Sequence, residues 1–373
     1  MNATHATVDL DDVEGLLAAD REGLLRAAAL AGAQVRSTAA ALDEGELDAL
    51  KSDQPPRTVI WVAGRGNAEA AGSMLSAALG GSAAAPIVVA SEAPRWIGAL
   101  DVVIVAGDDP GDPALVSAAA TAVRRGARVV VVAPFEGPLR DATAGRAVVL
   151  APRMRVPDDF SLSRYLAAGL ATLQTVDPGL SVDLPALADE LDAEAFRNSA
   201  SHELFTNPAK TMAERMSGRD VVLAGDNAAT LALARHGGAI LLRIAHKAVA
   251  VAGLADVVVA LRGGMAGEFG ADREKSIFHD EEIDGPLPRR VRTFVLATDA
   301  ERQVVLARVS GLDDVDVINA EDVPEAPEAV EITDSAEPPV VAAPPAAGRP
   351  EQQLATLAVR LEMTATYLRL VRG

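Results

Sequence analysis

The sequence predicts an α/β protein whose parallel sheets carry helices on both faces. Three observations lead there. Short, wholly apolar runs at 102–106 and 129–133 are what strands buried on both faces require. Between them lie an Asp/Pro/Gly loop and an Ala-rich helical stretch closed by Gly126. The strand–loop–helix order then recurs at short spacing, so a doubly wound sheet is the default.

Residues 1–50 are helical in pattern: Asp11 or Asp12 can cap a helix, Leu16, Leu17, Leu24 and Leu25 fall near helical spacing, and a second helix covers 30–42. A polar, Pro-containing linker at 51–56 leads into a first α/β unit, 51–176. There TVIWVAGRGNAEAAGSMLSAAL reads as strand, glycine turn and helix, and PIVVASEAP as a short strand. Strands follow at 99–106, 129–133 and 147–151, then a helix over 158–176. The turn at Asp177, Pro178 and Gly179 opens a second unit, 177–311. It holds a helix over 184–197, a strand ending at Gly225, a further helix, and strands over 256–261 and 291–297. Matching strand–glycine turns at Ala63–Gly64 and Ala224–Gly225 indicate an internally duplicated pair of sandwiches. Residues 312–350, rich in acid, Pro and Ala, read as a disordered linker. Residues 351–373 form a helix whose apolar face (Leu354, Leu357, Leu361, Tyr367, Leu370) docks back on the body.

Composition narrows the function. With 49% hydrophobic but only 3% aromatic residues, the cores are built from Ala, Val and Leu and favour close helix–sheet packing. A formal charge of −19 works against nucleic acid and anionic membrane surfaces, which need clustered Lys and Arg. The absence of cysteine excludes disulfides, thiolate nucleophiles and Cys-type metal sites. No apolar stretch approaches the roughly 20 residues that span a bilayer, and the N-terminus lacks a signal pattern. The expectation is a soluble, cytoplasmic protein without a cofactor. His279 with Asp280, Glu281, Glu282 and Asp284 offers ligand chemistry, but neighbours in one loop rarely converge on one ion, so no metal site is assigned.

In a parallel sheet, ligands bind outside the carboxyl ends of the strands. The cleft candidates are therefore Gly64, Arg65, Gly66, Asn67, Ala106, Asp108 and Asp109. The first loop fails the G-x-G-x-x-G dinucleotide fingerprint at Glu69 and reads as a tight turn, with Arg65 able to hold an anion. The second opens a helix, whose free N–H groups can hold a phosphate. Its side chains oppose one: Asp108, Asp109 and Asp112 are acidic, and no hydroxyl is present.

Several segments carry a family resemblance: DLDDVEGLLAADREGLL, VAGRGNAEAAG, VIVAGDDPGDPAL, NPAK, IFHDEEIDGP followed by RTFVLATD, and MTATYLRLVRG. Together they resemble the sugar isomerase (SIS) fold, and more narrowly the bifunctional phosphoglucose/phosphomannose isomerases. The resemblance implies two SIS-type parallel-sheet α/β sandwiches with helical N- and C-terminal elements, a homodimer, and a sugar phosphate ligand. In that family a Ser-bearing glycine turn and an S-Y-S-G-N-T loop hold the phosphate. A Glu in N-E-N-A-K moves the proton between adjacent sugar carbons, and a downstream His opens the ring. Carried over, the turn's Ser falls on Ala68, and the loop hydroxyls on Ala106, Asp108 and Gly111. A family Arg falls on Asp158, the catalytic Glu on Ala250, and the His near Ala266, with Glu268 retained. Losing one general base removes about 10²–10⁴ in rate. A carboxylate about 4 Å from a phosphate oxygen costs roughly 4 kcal/mol at a near-surface dielectric. The expectation is a catalytically degenerate relative acting as a binding or regulatory protein. The alternative is an active isomerase using His246, Lys247 and Glu268. A weaker reading makes the acidic linker and final helix a docking arm for a protein partner.

Overall fold

The computed structural model describes residues 8–265, 290–320 and 349–372. Three N-terminal helices come first: α1 (Val13–Ala19), α2 (Leu24–Ala28) and α3 (Ala31–Asp43). Asp12 caps the first, accepting from the Gly15 amide at 2.9 Å.

The first sheet contains β1 (Thr58–Val62), β2 (Ile87–Ala90), β3 (Asp101–Ala106), β4 (Arg128–Val132) and β5 (Ala147–Val149). Its order is β2-β1-β3-β4-β5, with every pairing parallel. Four helices accompany it: α4 (Gly66–Leu79), α5 (Pro113–Arg124), α6 (Gly137–Thr143) and α7 (Leu162–Val176). Alternate residues of the central strands belong to different cores. Trp61, Ile104 and Val130 pack with α4 and α7, whereas Ile60, Val103 and Val131 pack with α5 and α6. Both faces are therefore dry, which is why these strands are apolar at every position.

Two helices, α8 (Leu184–Arg197) and α9 (Pro208–Met216), lead to a second sheet. It comprises β6 (Asp220–Gly225), β7 (Ala250–Gly253), β8 (Val291–Leu296) and β9 (Val315–Ile318), with helices α10 (Ala228–Arg243), α11 (Leu254–Arg262) and α12 (Asp299–Val309). The order β7-β6-β8-β9 is parallel throughout and repeats the β2-β1-β3-β4 order of the first sheet. The last helix is α13 (Pro350–Arg372).

Three expectations are corrected. The apolar run at 256–261 is helical, within α11 and not a strand. Leu254 and Val257 are buried while Val259 is 72% exposed, so burial follows a helical face. An isolated run this short does not separate the two periods. Secondly, the acid-rich segment expected as linker from 312 begins with strand β9, which pairs with β8. Its acids are neutralised locally: Arg292 donates to Asp314 and Asp316 at 2.7 Å each. Residues 321–348 of that expected linker lie outside the described residues. Thirdly, α13 is buried all round, polar positions such as Arg360, Glu362, Thr364 and Thr366 included. It packs against α8, α9 and α10, so it forms a central element and not an amphipathic cover.

Candidate functional site

The loops at the carboxyl ends of β1 and β3 do meet, as the topology requires. Gly66 adopts φ +66°, a left-handed conformation that suits glycine at this turn. Arg65 reaches Asp112 at 3.0 Å and Asp109 at 3.9 Å across the loops. Asp112 also caps α5 through the Ala114 amide at 2.8 Å, and Asp109 accepts from Gly111 at 2.8 Å. The cation and helix terminus open to an anion in the sequence thus face the chain's own carboxylates. Gly64 lies in the same turn, and Ala106 is buried at the end of β3. Asn67 is buried as well; its Nδ2 donates to the Asp158 and Asp159 carbonyls at 2.7 and 3.0 Å. It braces the entry to α7 with that end of its amide.

Asp108 is not the bare charge the sequence suggests. Its Oδ1 accepts from the Tyr165 hydroxyl and from Arg164 Nη2, the latter at 3.1 Å. Arg164 lies over the Tyr165 ring, 4.1 Å from its centroid. Burial pushes the Asp108 carboxyl above its ordinary range, while the Tyr165 hydrogen bond and the Arg164 charge pull the other way. Burial likewise pushes the Tyr165 phenol up. Oδ2 of Asp108 has no hydrogen-bond partner among the described residues.

Beside Asp108 a cleft of about 360 Å³ opens between α3, α7 and the chain leaving β5. Its polar walls include Gln34, Thr38, Asp108, Arg155, Asp158 and Arg164, with the hydroxyls of Ser37 and Ser161. Gln34 is only 2% exposed; its Nε2 donates to the Phe160 carbonyl at 2.9 Å, which fixes the amide orientation and leaves Oε1 without a partner. Arg164 Nη1 is also buried without a partner. Each such atom costs about 1–3 kcal/mol in an otherwise satisfied interior. Arg153, also on the wall, is forked by Glu44 at 3.0 Å and by Glu46. Arg155 makes no ion pair among the described residues. The arrangement can hold hydroxyl groups. Asp108 meets both of its protein donors through Oδ1, which leaves Oδ2 open to a ligand.

His246 and Lys247 lie elsewhere. His246 Nδ1 is 3.3 Å from Arg369, and Lys247 Nζ donates at 2.7 Å to the Arg219 carbonyl, just before β6 begins. That is the amino end of the second sheet, and neither residue lines the cleft. Ala266, Glu268 and the His279–Asp284 loop lie outside the described residues. Among the described residues no group of three or more His, Cys, Asp or Glu is placed to hold a metal, and no helix is long and apolar enough to cross a membrane. Sequence reasoning passed over Gln34 and Arg164. One signal was available: Gln34 falls on the same face of α3 as Ala31, Val35 and Thr38, an amide on a stripe that is buried.

Two parallel sheets of five and four strands, each flanked by helices, make a sugar isomerase (SIS)-type fold. Solved structures agree. Tagatose-6-phosphate ketose/aldose isomerase from Escherichia coli is similar with a TM-score of 0.59 at 15% identity, over 100% of this chain and 95% of that one. A glucose-6-phosphate isomerase-like protein from Thermus thermophilus gives 0.52 at 17%, over 98% and 96%. The C-terminal domain of glucosamine-fructose-6-phosphate aminotransferase from Francisella tularensis gives 0.58 at 10%, over 94% and 96%. At such identities the likeness is one of fold. The chain matches no protein-family model and no curated protein.

Proposed function

We propose that this protein binds a carbohydrate derivative in the cleft beside Asp108 and does not isomerise it. It would thus be a divergent, catalytically degenerate relative of the bifunctional phosphoglucose/phosphomannose isomerases, serving as a binding or regulatory protein. The carrying observation is the β3 loop: where the resemblance calls for free hydroxyls, Asp108 is bonded to Tyr165 and Arg164. Ala250, where the resemblance puts the catalytic Glu, supplies no base. Mixing the protein with glucose 6-phosphate or mannose 6-phosphate is expected to yield no fructose 6-phosphate above background. Turnover that disappears in His246→Ala or Glu268→Gln would overturn this reading in favour of an active isomerase built on His246, Lys247 and Glu268. A homodimer belongs to the same reading, and a sedimentation mass of one chain would remove it.

A further inference from the structure

The cleft beside Asp108 has hydrogen-bonding needs that separate one class of ligand from another. We propose that it takes an uncharged polyhydroxylated ring of monosaccharide size, held by Gln34, Asp108, Arg155 and Arg164, in preference to a sugar phosphate. This rests on the binding reading above and names its ligand class.

The unpaired atoms set the chemistry. Gln34 Oε1 and Asp108 Oδ2 are acceptors, so the ligand must donate hydrogens to them. Arg164 Nη1 is a donor and needs an acceptor. A hydroxyl group does both. A phosphate dianion is acceptor-only: it can donate nothing to Gln34 or Asp108, and at Arg164 it would stand beside the Asp108 carboxylate.

Charge points the same way. Arg153, Arg155 and Arg164 line the cleft and Arg243 acts on Asp108 from nearby, set against Asp108, Asp158, Asp159, Glu44 and Glu46. The two glutamates occupy Arg153, and Asp108 occupies one side of Arg164. Of the lining arginines, Arg155 alone makes no ion pair among the described residues, too little to compensate a dianion next to two aspartates. A volume of about 360 Å³ lies at the lower end of the range for small-molecule sites, ~300–1,000 Å³, which suits a single ring.

Calorimetric titration of the full chain with D-glucose, D-mannose and myo-inositol, alongside glucose 6-phosphate and mannose 6-phosphate, tests this. At least one uncharged probe should bind about tenfold or more tightly than the phosphates, with affinity unchanged between low and high salt. Gln34→Leu should weaken that binding about tenfold, its folding checked by thermal unfolding. The exposed pair Glu44→Gln/Glu46→Gln leaves the core untouched; it should leave sugar binding unchanged while raising phosphate affinity by freeing Arg153. Tighter binding of the phosphates by the unaltered protein, or sugar binding indifferent to Gln34→Leu, would overturn the ligand class and leave the carbohydrate-binding reading standing. Binding of none of the five probes would overturn both.

Discussion

Glu362 on α13 and Asp108 at the cleft are carboxyls whose surroundings push them above the ordinary range, burial being the largest cause in each. For Glu362 the neighbouring His236 imidazole, its Nε2 3.3 Å from Oε1, opposes the shift, as does the charge of Arg243. Arg243 itself bonds Asp159 at 3.0 Å and so links this buried pair to the segment that enters α7. The linkage sign follows from the direction. A carboxyl raised in the folded state binds its proton more readily there than in the unfolded chain. Its ionisation therefore opposes folding at neutral pH, and that penalty is relieved as pH falls from the raised value towards the unfolded one. Urea unfolding measured across that window should show the Glu362 contribution as stability gained on acidification. Glu362→Gln removes the titrating group and should flatten the profile there; an unchanged profile would mean that Glu362 does not titrate in the folded protein.

At the scale of elements, close approach is what Ala- and Gly-rich helices provide. Trp61 on β1 lies between α4 and α7, and its indole N–H donates to the Ala68 carbonyl at 2.8 Å. A Cβ at Gly72 of α4 would stand 2.3 Å from Trp61 Cδ1, and one at Gly169 of α7 would stand 2.9 Å from its Cζ3. The ring fits because both helices are bare at the point of contact. Gly72→Ala should cost about 1–3 kcal/mol by overpacking, read from urea unfolding, with a change in the emission of Trp61. An effect within error would show that α4 can slide away from the sheet. The NPAK segment has an equally structural use. Asn207 caps α9 through the Lys210 amide at 2.9 Å. The buried Lys210 ammonium donates to the carbonyls of Ala200 and His202 at 2.9 and 2.7 Å, which closes the turn between α8 and α9.

For the molecule as a whole, α13 is the seam. Arg360 reaches Glu194 of α8 at 2.7 Å and also donates to the carbonyls of Asn319 and Ala320, just past β9. Glu194 in turn is held by Arg197 at 2.7 Å and Asn198 at 2.6 Å. Burial works to raise the Glu194 carboxyl, but Arg360 and Arg197 outweigh it and hold the group below its ordinary range. Its contribution is therefore present above the unfolded value and lost as pH falls through the folded one, opposite in sign to Glu362. Glu194→Gln leaves the Arg360 charge buried without its counter-ion and should cost about 3–5 kcal/mol, measured as a lower urea midpoint. A loss below 1 kcal/mol would show that the backbone carbonyls alone satisfy Arg360. The same seam lets the two similar sheets share one continuous core, in which β1 and β6 both contribute side chains.

The parallel sheets and their two-fold recurrence were legible in the sequence, because strands dry on both faces must be apolar without interruption and glycine must punctuate the turns. Strand polarity likewise puts the loops after β1 and β3 at one end of the sheet, but of the residues singled out there only Asp108 lines the cleft. The tertiary structure alone decided what those loops can do. Gln34, Asp108 and Arg164 are separated in the chain and meet only through packing, and a carboxylate's charge depends on partners that no local spacing reveals. Likewise, 256–261 became helix and 315–318 strand because their burial, on one face of α11 and beside β8 respectively, is set by neighbours from elsewhere in the chain.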